Sequence, residues 1–205
     1  MEHLLKNKVK KIIYASSGSV YGIKKEKKVT ENLSLKPLST YNKVKMVTER
    51  IILSYKQGID VIIIRPATVC GYSPRMRLDL TVNILTFQAL KNKEITVFGG
   101  KQKRPNIHID DLVRVYLFFL KRRKSKSIIF NAGFENLSVL QVAKNISKKI
   151  KSKIKIKKNT GDKRSYNLDS SKLIRAGFKP KKNVNTAIDD IKQMYENKIL
   201  KDQKN

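Results

Sequence analysis

The sequence is poor in cysteine and contains no long hydrophobic run. Cys70 is the single cysteine among 205 residues, so the chain cannot form an internal disulfide. The opening stretch MEHLLKNKVKKIIY has an apolar run too short for a secretory signal or a membrane span. We therefore expect a cytoplasmic protein with no membrane partner, whose length suits one large domain or two small ones.

Acidic residues are also scarce, since 16 Asp and Glu face 46 Lys and Arg and the net charge is +30. Such a surplus makes a polyanion the first candidate partner. However, the lysines are spread over every segment, and the sequence has no zinc-finger spacing and no recognisable nucleic-acid motif. We interpret the charge as a Lys-rich solvated surface that favours phosphate-bearing small ligands, and we do not expect dedicated nucleic-acid binding.

Short apolar runs and helical patterns alternate along the chain. Residues 11–15 (KIIYA) and 60–66 (DVIIIRP) are typical of strands, and apolar positions between 40 and 58 recur at helical spacing. The pattern then predicts a helix at 80–91, a strand at 95–99, a helix at 110–122, a strand at 127–133, a helix at 138–150, a strand at 153–157 and a helix at 185–200. Strands separated by helices predict an α/β fold around a parallel sheet covered on both faces.

Three residues with catalytic chemistry fall at the expected carboxyl end of this sheet, where α/β proteins bind ligands. Ser17 follows the strand at 11–15, and Tyr41 and Lys45 lie four residues apart on the next helix. Positions i and i+4 share a helix face, so the Lys45 ammonium can stabilise the Tyr41 phenolate and make it a usable proton acceptor. Taken alone, such a pair is common by chance and is typical of an exposed helix face.

Several further motifs accompany this trio in a fixed order. The segments are YASSGSVYG, YNKVK, IIRPATVCGYSPRMRLDL, ITVFGGKQKRPNIHIDDLVRVYL, IFNAG and GDKRSYNLDSSKLIRAGFKP. Together they resemble the extended short-chain dehydrogenase/reductase family, specifically its NAD-dependent nucleotide-sugar epimerases and dehydratases. The resemblance covers about residues 10–190. It implies a nucleotide-sugar substrate and NAD as cofactor, with NADP left open.

The resemblance also implies a role for each matching residue. Ser17, Tyr41 and Lys45 match the catalytic hydroxyl, the catalytic base and the lysine that also holds the nicotinamide ribose. The other implied contacts are Tyr41, Lys45, Pro66 and Val69 with the cofactor, Ser17, Thr68 and Asn83 with the substrate, and Arg104 and Arg164 with the nucleotide diphosphate. A planar, permanently charged guanidinium suits a diphosphate clamp. No metal is expected.

Two departures from the family pattern bear on the reaction. The 4,6-dehydratases carry an Asp-Glu pair directly after the catalytic hydroxyl, where this chain has Gly18 and Ser19, so epimerisation or carbonyl reduction is favoured over dehydration. Cys70 stands where an aromatic residue is typical, and with only His3 and His108 in the chain we interpret it as a packed thiol rather than a nucleophile. His108 is most simply a structural histidine.

A third departure is an absence. The glycine-rich turn Gly-x-x-Gly-x-x-Gly, which holds the dinucleotide pyrophosphate in this family, occurs nowhere in the sequence. We therefore expect an incomplete Rossmann-like parallel sheet that lacks three βα units, on the order of a hundred residues. The remaining Rossmann elements would be at about 1–78 and 106–135, and a smaller substrate-binding lobe at about 79–105 and 136–205.

The function implied is epimerisation of a nucleotide sugar, commonly at C4, through a keto intermediate. Two alternatives stay open: a carbonyl reductase on the same scaffold, and a catalytically inactive module that binds sugar nucleotides or nucleic acid. The residue that selects NAD or NADP would lie in the missing part, so the sequence does not separate epimerase from reductase. We expect a nucleotide sugar as ligand, and a separate N-terminal polypeptide or a second copy of the chain as partner. The isolated chain is expected to be inactive.

Overall fold

The computed structural model describes residues 2–122, 128–158 and 165–200. Its elements are, in order, α1 (Glu2–Lys6), β1 (Lys11–Ala15), a 3-10 turn (Gly18–Tyr21), α2 (Thr40–Ser54), β2 (Asp60–Pro66), β3 (Thr68–Cys70), α3 (Thr81–Asn92), β4 (Glu94–Phe98), β5 (Lys103–His108), α4 (Ile109–Lys121), β6 (Ile129–Ala132), β7 (Glu135–Ser138), α5 (Val139–Ile150), β8 (Lys153–Lys157), α6 (Ser171–Arg175) and α7 (Val184–Glu196). In these ranges, no helix is both long and apolar enough to cross a bilayer.

The central sheet has the strand order β1-β2-β6, and all three strands are parallel. Its middle strand β2 is an almost continuous run of branched apolar residues because both of its faces are covered. On one face Ile63 clusters with Ile52 of α2, and on the other Ile62 and Ile64 cluster with Phe119 of α4. The predicted α/β class with a parallel sheet is confirmed.

A second sheet continues directly from the end of β2. It has the order β3-β5-β7, in which β3 and β5 are parallel and β5 and β7 are antiparallel. Only Ala67 separates β2 from β3, and its backbone N–H donates to the Ala132 carbonyl of β6. The chain from Pro66 to Val69 is therefore held by both sheets, which fixes its backbone at the carboxyl end of β2.

The helices α3, α5 and α7 pack around a separate apolar core. Its buried members include Val82, Leu85, Ala89, Val142, Ile146, Ile188 and Ile191. A capping box, in which the Ser138 and Gln141 side chains each bond the other's backbone N–H, starts α5. This core falls mainly within 79–105 and 136–205, the segments expected to form the substrate-binding lobe. The division of the chain into two domains stays a prediction.

Candidate active site

A cleft of about 580 Å³ opens at the carboxyl ends of β1 and β2. Its walls come from the loop after β1, the first turn of α2, the junction of β2 and β3, the loop before α3, and β5. The lining residues are Ser16, Ser17, Ser19, Ser39, Tyr41, Asn42, Pro66, Ala67, Thr68, Val69, Arg77, Asp79, Leu80, Thr81, Arg104 and Tyr166. The cleft is therefore at the end of the parallel sheet where ligands are expected.

Most of the residues predicted from the sequence meet in this cleft. Those that line it are Ser17, Tyr41, Pro66, Thr68, Val69 and Arg104. Lys45 lies one turn after Tyr41 on α2, Asn83 is buried within α3, and Arg164 lies outside the described residues. The roles of all these residues in binding and catalysis stay predictions.

Tyr41 and Lys45 are placed by the start of α2. Ser39 caps this helix, since its side chain accepts a hydrogen bond from the Asn42 backbone N–H at 3.3 Å. Tyr41 is 57% exposed, and Lys45 Nζ lies 5.6 Å from the centroid of its ring. Lys45 Nζ also donates to the Ala15 carbonyl at 2.7 Å. The ammonium is thus held between the tyrosine ring and the end of β1.

The Ser17 hydroxyl belongs to a short chain of hydrogen bonds. Ser19 Oγ donates its only proton to Asn42 Oδ1 at 2.6 Å, so Ser17 is the donor in the 2.7 Å contact between the two serine hydroxyls. Ser17 Oγ also accepts from the Ser19 backbone N–H at 3.2 Å. When the Ser17 hydroxyl turns away from Ser19, its proton can reach the oxygen atom of an incoming hydroxyl group. Neither Ser19 nor Asn42 was predicted as a site residue.

The cleft also contains a guanidinium that was not predicted as part of the site. Arg77 donates through Nε and NH2 to the two carboxylate oxygens of Asp79, at 3.0 and 2.5 Å. These hydrogen bonds raise the pKa of Arg77 and lower that of Asp79. Both side chains are mostly exposed, so the pair adds little to stability. Together with Arg104, it gives the cleft two guanidinium groups that can meet an anionic ligand.

Asn83 does not line the cleft, although the resemblance implies that it contacts substrate. Its side chain is buried, Oδ1 accepts from the Gly71 backbone N–H at 3.1 Å, and Nδ2 donates to the Arg77 carbonyl at 3.0 Å. Both ends of the amide thus hold the loop that brings Arg77 and Asp79 to the cleft. A direct contact between Asn83 and a substrate stays a prediction.

His108 lies outside the cleft lining and holds the start of α4. Its Nδ1 accepts from the Asp110 backbone N–H at 3.1 Å, so Nε2 carries the proton and donates to Asp190 Oδ2 at 3.0 Å. Lys182 Nζ lies 2.8 Å from the Asp110 carboxylate and 3.1 Å from that of Asp190. The two carboxylates therefore already face a cation, and His108 has the contacts of a structural histidine.

Cys70 is a buried free thiol. This agrees with its interpretation from the sequence as a packed thiol rather than a nucleophile. Its Sγ donates to the Ile107 carbonyl at 3.4 Å, and burial raises its pKa from 9.0 to about 12. We expect a thiol reagent at neutral to mildly alkaline pH to leave Cys70 unmodified in the folded chain and to modify it fully in guanidinium chloride. Mass spectrometry of the labelled protein measures both reactions, and equal labelling rates would contradict the burial.

The same burial sets the sign of a pH effect. The folded state has the higher pKa, so the stabilising contribution of the neutral thiol is complete below pH 9 and is lost as the pH rises from 9 to about 12. The upper limit of this loss is about 1.4 kcal/mol per pH unit. Denaturant unfolding of Cys70→Ala should therefore be less sensitive to alkaline pH than that of the parent chain.

Comparison with known proteins identifies relatives of this chain. The model of the NAD dependent epimerase/dehydratase family matches residues 1–133. An uncharacterized UDP-glucose epimerase of Bacillus subtilis is 38% identical over 146 residues, which are 69% of this chain and 45% of that protein. The UDP-glucose 4-epimerase of Lactobacillus helveticus is 29% identical over 162 residues, 68% of this chain and 49% of that protein. The chain thus spans about half the length of these curated relatives.

Solved structures share the architecture. The UDP-glucuronic acid 4-epimerase from Bacillus cereus, in complex with UDP-glucuronic acid and NAD, superposes with a TM-score of 0.79 and 28% identity, over 95% of this chain and 65% of that one. MoeE5 in complex with UDP-glucuronic acid and NAD gives a TM-score of 0.83 and 25% identity, over 96% and 68%. These matches confirm the predicted Rossmann-like fold, and the family match over residues 1–133 shows that the chain belongs to the NAD dependent epimerase/dehydratase family.

Proposed function

We propose that this chain carries the proton-transfer and sugar-nucleotide-binding site of an NAD-dependent nucleotide-sugar epimerase. One observation carries the proposal: Ser17, Tyr41 and Arg104 line one cleft, and the Lys45 ammonium lies 5.6 Å from the Tyr41 ring. The relatives support the substrate class, because one is a UDP-glucose 4-epimerase and a solved one holds UDP-glucuronic acid.

NAD is the proposed cofactor, with NADP left open. Tyr41, Pro66 and Val69 line the open cleft, and Lys45 supplies a cation next to Tyr41, so these four residues fit the nicotinamide and its ribose. When bound, NAD would supply reversible hydride transfer at the sugar carbon. The sequence has no glycine-rich turn for the pyrophosphate. We therefore propose that a partner polypeptide supplies this turn.

The residues of the chain itself would move and orient the proton. Tyr41 removes the proton from a sugar hydroxyl, and the charge of Lys45 stabilises the phenolate that accepts it. The Ser17 hydroxyl turns its proton from Ser19 to the oxygen atom of the same sugar hydroxyl and so orients it, because the single proton of that hydroxyl goes to Tyr41. Tyr41 returns the proton when the rotated keto sugar is reduced. Arg104, and Arg164 by resemblance, would bind the diphosphate.

The arrangement of Ser19 favours epimerisation over dehydration. Dehydratases of the family would have a carboxylate at this position for acid and base chemistry, whereas the Ser19 hydroxyl donates its proton to Asn42 Oδ1. Gly18, the other position of the pair, has no side chain and does not line the cleft. An epimerase uses its cofactor without net consumption, which also distinguishes it from a reductase.

The proposed function is tested by product analysis. The chain is incubated with NAD and either UDP-glucose or UDP-glucuronic acid. It is used alone and mixed with the part of the Bacillus subtilis relative that does not align with this chain. We expect the mixture to form the corresponding 4-epimer without accumulation of reduced cofactor. Stoichiometric use of NADPH with a keto substrate would instead identify a reductase, and no conversion in any mixture would refute the proposal.

The diphosphate clamp gives a separate prediction. Replacing Arg104 by alanine should weaken the binding of UDP-glucose by about 1.5 to 3 kcal/mol, because a charge-assisted hydrogen bond to phosphate is lost. Calorimetry measures the affinity, and Arg50→Ala on the exposed side of α2 is the control. We expect the same loss for Arg164→Ala. Equal affinity of the parent chain for UDP and for uridine would exclude a diphosphate clamp.

A further inference from the structure

A buried ion pair lies next to the candidate active site. Glu49 is on α2, two turns after Tyr41, and Arg65 directly precedes Pro66 at the end of β2. Arg65 Nε and NH2 donate to the two oxygens of Glu49 at 2.9 and 2.6 Å, and the two side chains are 4% and 2% exposed. Ser16 Oγ donates to the same carboxylate. The pair therefore joins three elements of the site.

The same guanidinium continues the network towards the segment that follows Tyr166. Arg65 NH1 donates to the Tyr21 hydroxyl at 2.8 Å, and this hydroxyl donates to Asn131 Oδ1 at 2.8 Å. Burial raises the pKa of Tyr21 to about 12, so the hydroxyl keeps the proton that it donates. Asn131 Nδ2 then donates to the carbonyls of Val29 and Asp169, at 3.1 Å each.

These hydrogen bonds lie in the buried interior of the protein and connect the segments that form the walls of the cleft. Ser16 precedes Ser17, Glu49 shares α2 with the tyrosine and the lysine of the site, and Asp169 belongs to the segment that carries Tyr166 into the lining. A buried ion pair adds little net stability compared with well-packed apolar side chains. A bidentate pair does, however, fix the relative position of the two elements that it joins.

We propose that Glu49 and Arg65 are positioning residues that set the spacing between the Ser17 hydroxyl and Tyr41, and so determine how well the cleft recognises the sugar of a nucleotide sugar. Neither side chain lines the cleft, so both act through Ser16 and α2. The sugar part of the inference rests on the proposed function, whereas the spacing part does not. A misplacement of about 1 Å at such a site costs up to about a hundredfold.

Three variants test this role. Glu49→Gln keeps the side-chain shape and leaves the Arg65 charge unpaired. The double variant Glu49→Leu/Arg65→Met replaces the ion pair by apolar side chains, which buried positions generally tolerate. Asp111→Asn is the control, because Asp111 is a buried carboxylate that accepts hydrogen bonds from the backbone at Lys181 and Lys182 and does not line the cleft.

Three measurements are made on the full chain: the calorimetric affinity for UDP-glucose relative to UDP, hydrogen exchange of residues 14–22 and 40–47 without ligand, and the thermal midpoint. Both Glu49 variants should lower the affinity ratio roughly tenfold with unchanged UDP affinity, and should speed exchange in these two segments. Asp111→Asn should lower the thermal midpoint and leave the affinity ratio and the exchange of these segments unchanged.

A double variant with the exchange and affinity ratio of the parent would overturn the proposal whatever its thermal midpoint, because the ion pair would then have no role in positioning the site. A parent chain that does not prefer UDP-glucose over UDP would refute the proposed function instead. Hydrogen exchange then decides the spacing role separately: faster exchange confined to the two segments supports it, and unchanged exchange overturns it.

Discussion

Replacing Tyr41 by phenylalanine should lower the turnover of a nucleotide sugar by about 10² to 10⁴ and leave its binding affinity nearly unchanged. The variant loses the hydroxyl that would accept the substrate proton but keeps the ring that forms part of the cleft. Turnover is measured as formation of the 4-epimer in the mixture in which the parent chain is active. Affinity is measured by calorimetry on the same preparations.

The control for this variant is Tyr55→Phe. Tyr55 follows the far end of the same helix and does not line the cleft, so the loss of its hydroxyl should leave turnover unchanged. Lys45→Met should also lower turnover, because the phenolate of Tyr41 loses the neighbouring cation. A Tyr41→Phe variant as active as the parent would show that another group accepts the proton, and the assignment would be wrong.

The parts of the fold that sequence could predict are those with a strong apolar period. The strand β2 was predicted with its observed bounds, because its branched apolar run is closed by Pro66. In contrast, β5 was not predicted, since its sequence KRPNIH is polar and contains a proline. It is a strand only because β3 and β7 pair with it, and such tertiary pairing leaves no local pattern.

The same limit applies to the candidate site. Ser17, Tyr41 and Arg104 could be placed in one cleft because they follow predictable strands or share a known order of motifs. The bond between Ser19 and Asn42 could not, since it depends on the angle at which a loop meets α2. Periodicity likewise predicts that α3 is a helix, but it does not predict the hydrogen-bond partners of the buried polar side chains on that helix.

The outer edge of β1 should have the largest effect on the self-association of the protein. Within the described ranges, β1 pairs with β2 on one side and with no strand on the other. Its residues Ile12, Ile13 and Tyr14 are only half-buried, although the run KIIYA is strongly apolar. An open edge with unpaired N–H and C=O groups readily pairs with another strand.

The helices that cover this sheet also expose apolar side chains. They are Val44, Val47 and Ile51 on α2, and Val113, Leu117 and Leu120 on α4. The two groups lie on opposite faces of the sheet, and exposed apolar patches of this kind mark interaction surfaces. The match covers 65% and 68% of two solved relatives, so about a third of each has no counterpart here. We propose that a strand-and-helix polypeptide with the glycine-rich turn covers the edge of β1 and these two helix faces and completes the pyrophosphate site.

We therefore expect the purified 205-residue chain to self-associate and to give no calorimetric signal with NAD at micromolar concentration. Light scattering measures the association, and the double variant Val44→Lys/Leu117→Lys should reduce it without creating NAD binding, because it adds one charge to each exposed helix face but no phosphate site. Addition of the part of the Bacillus subtilis relative that does not align with this chain should produce a complex that binds NAD. A defined dimer of the chain that binds NAD would instead identify a second copy as the partner. A stable monomer that binds NAD at micromolar concentration would contradict both, since the chain would then hold the pyrophosphate with residues of its own.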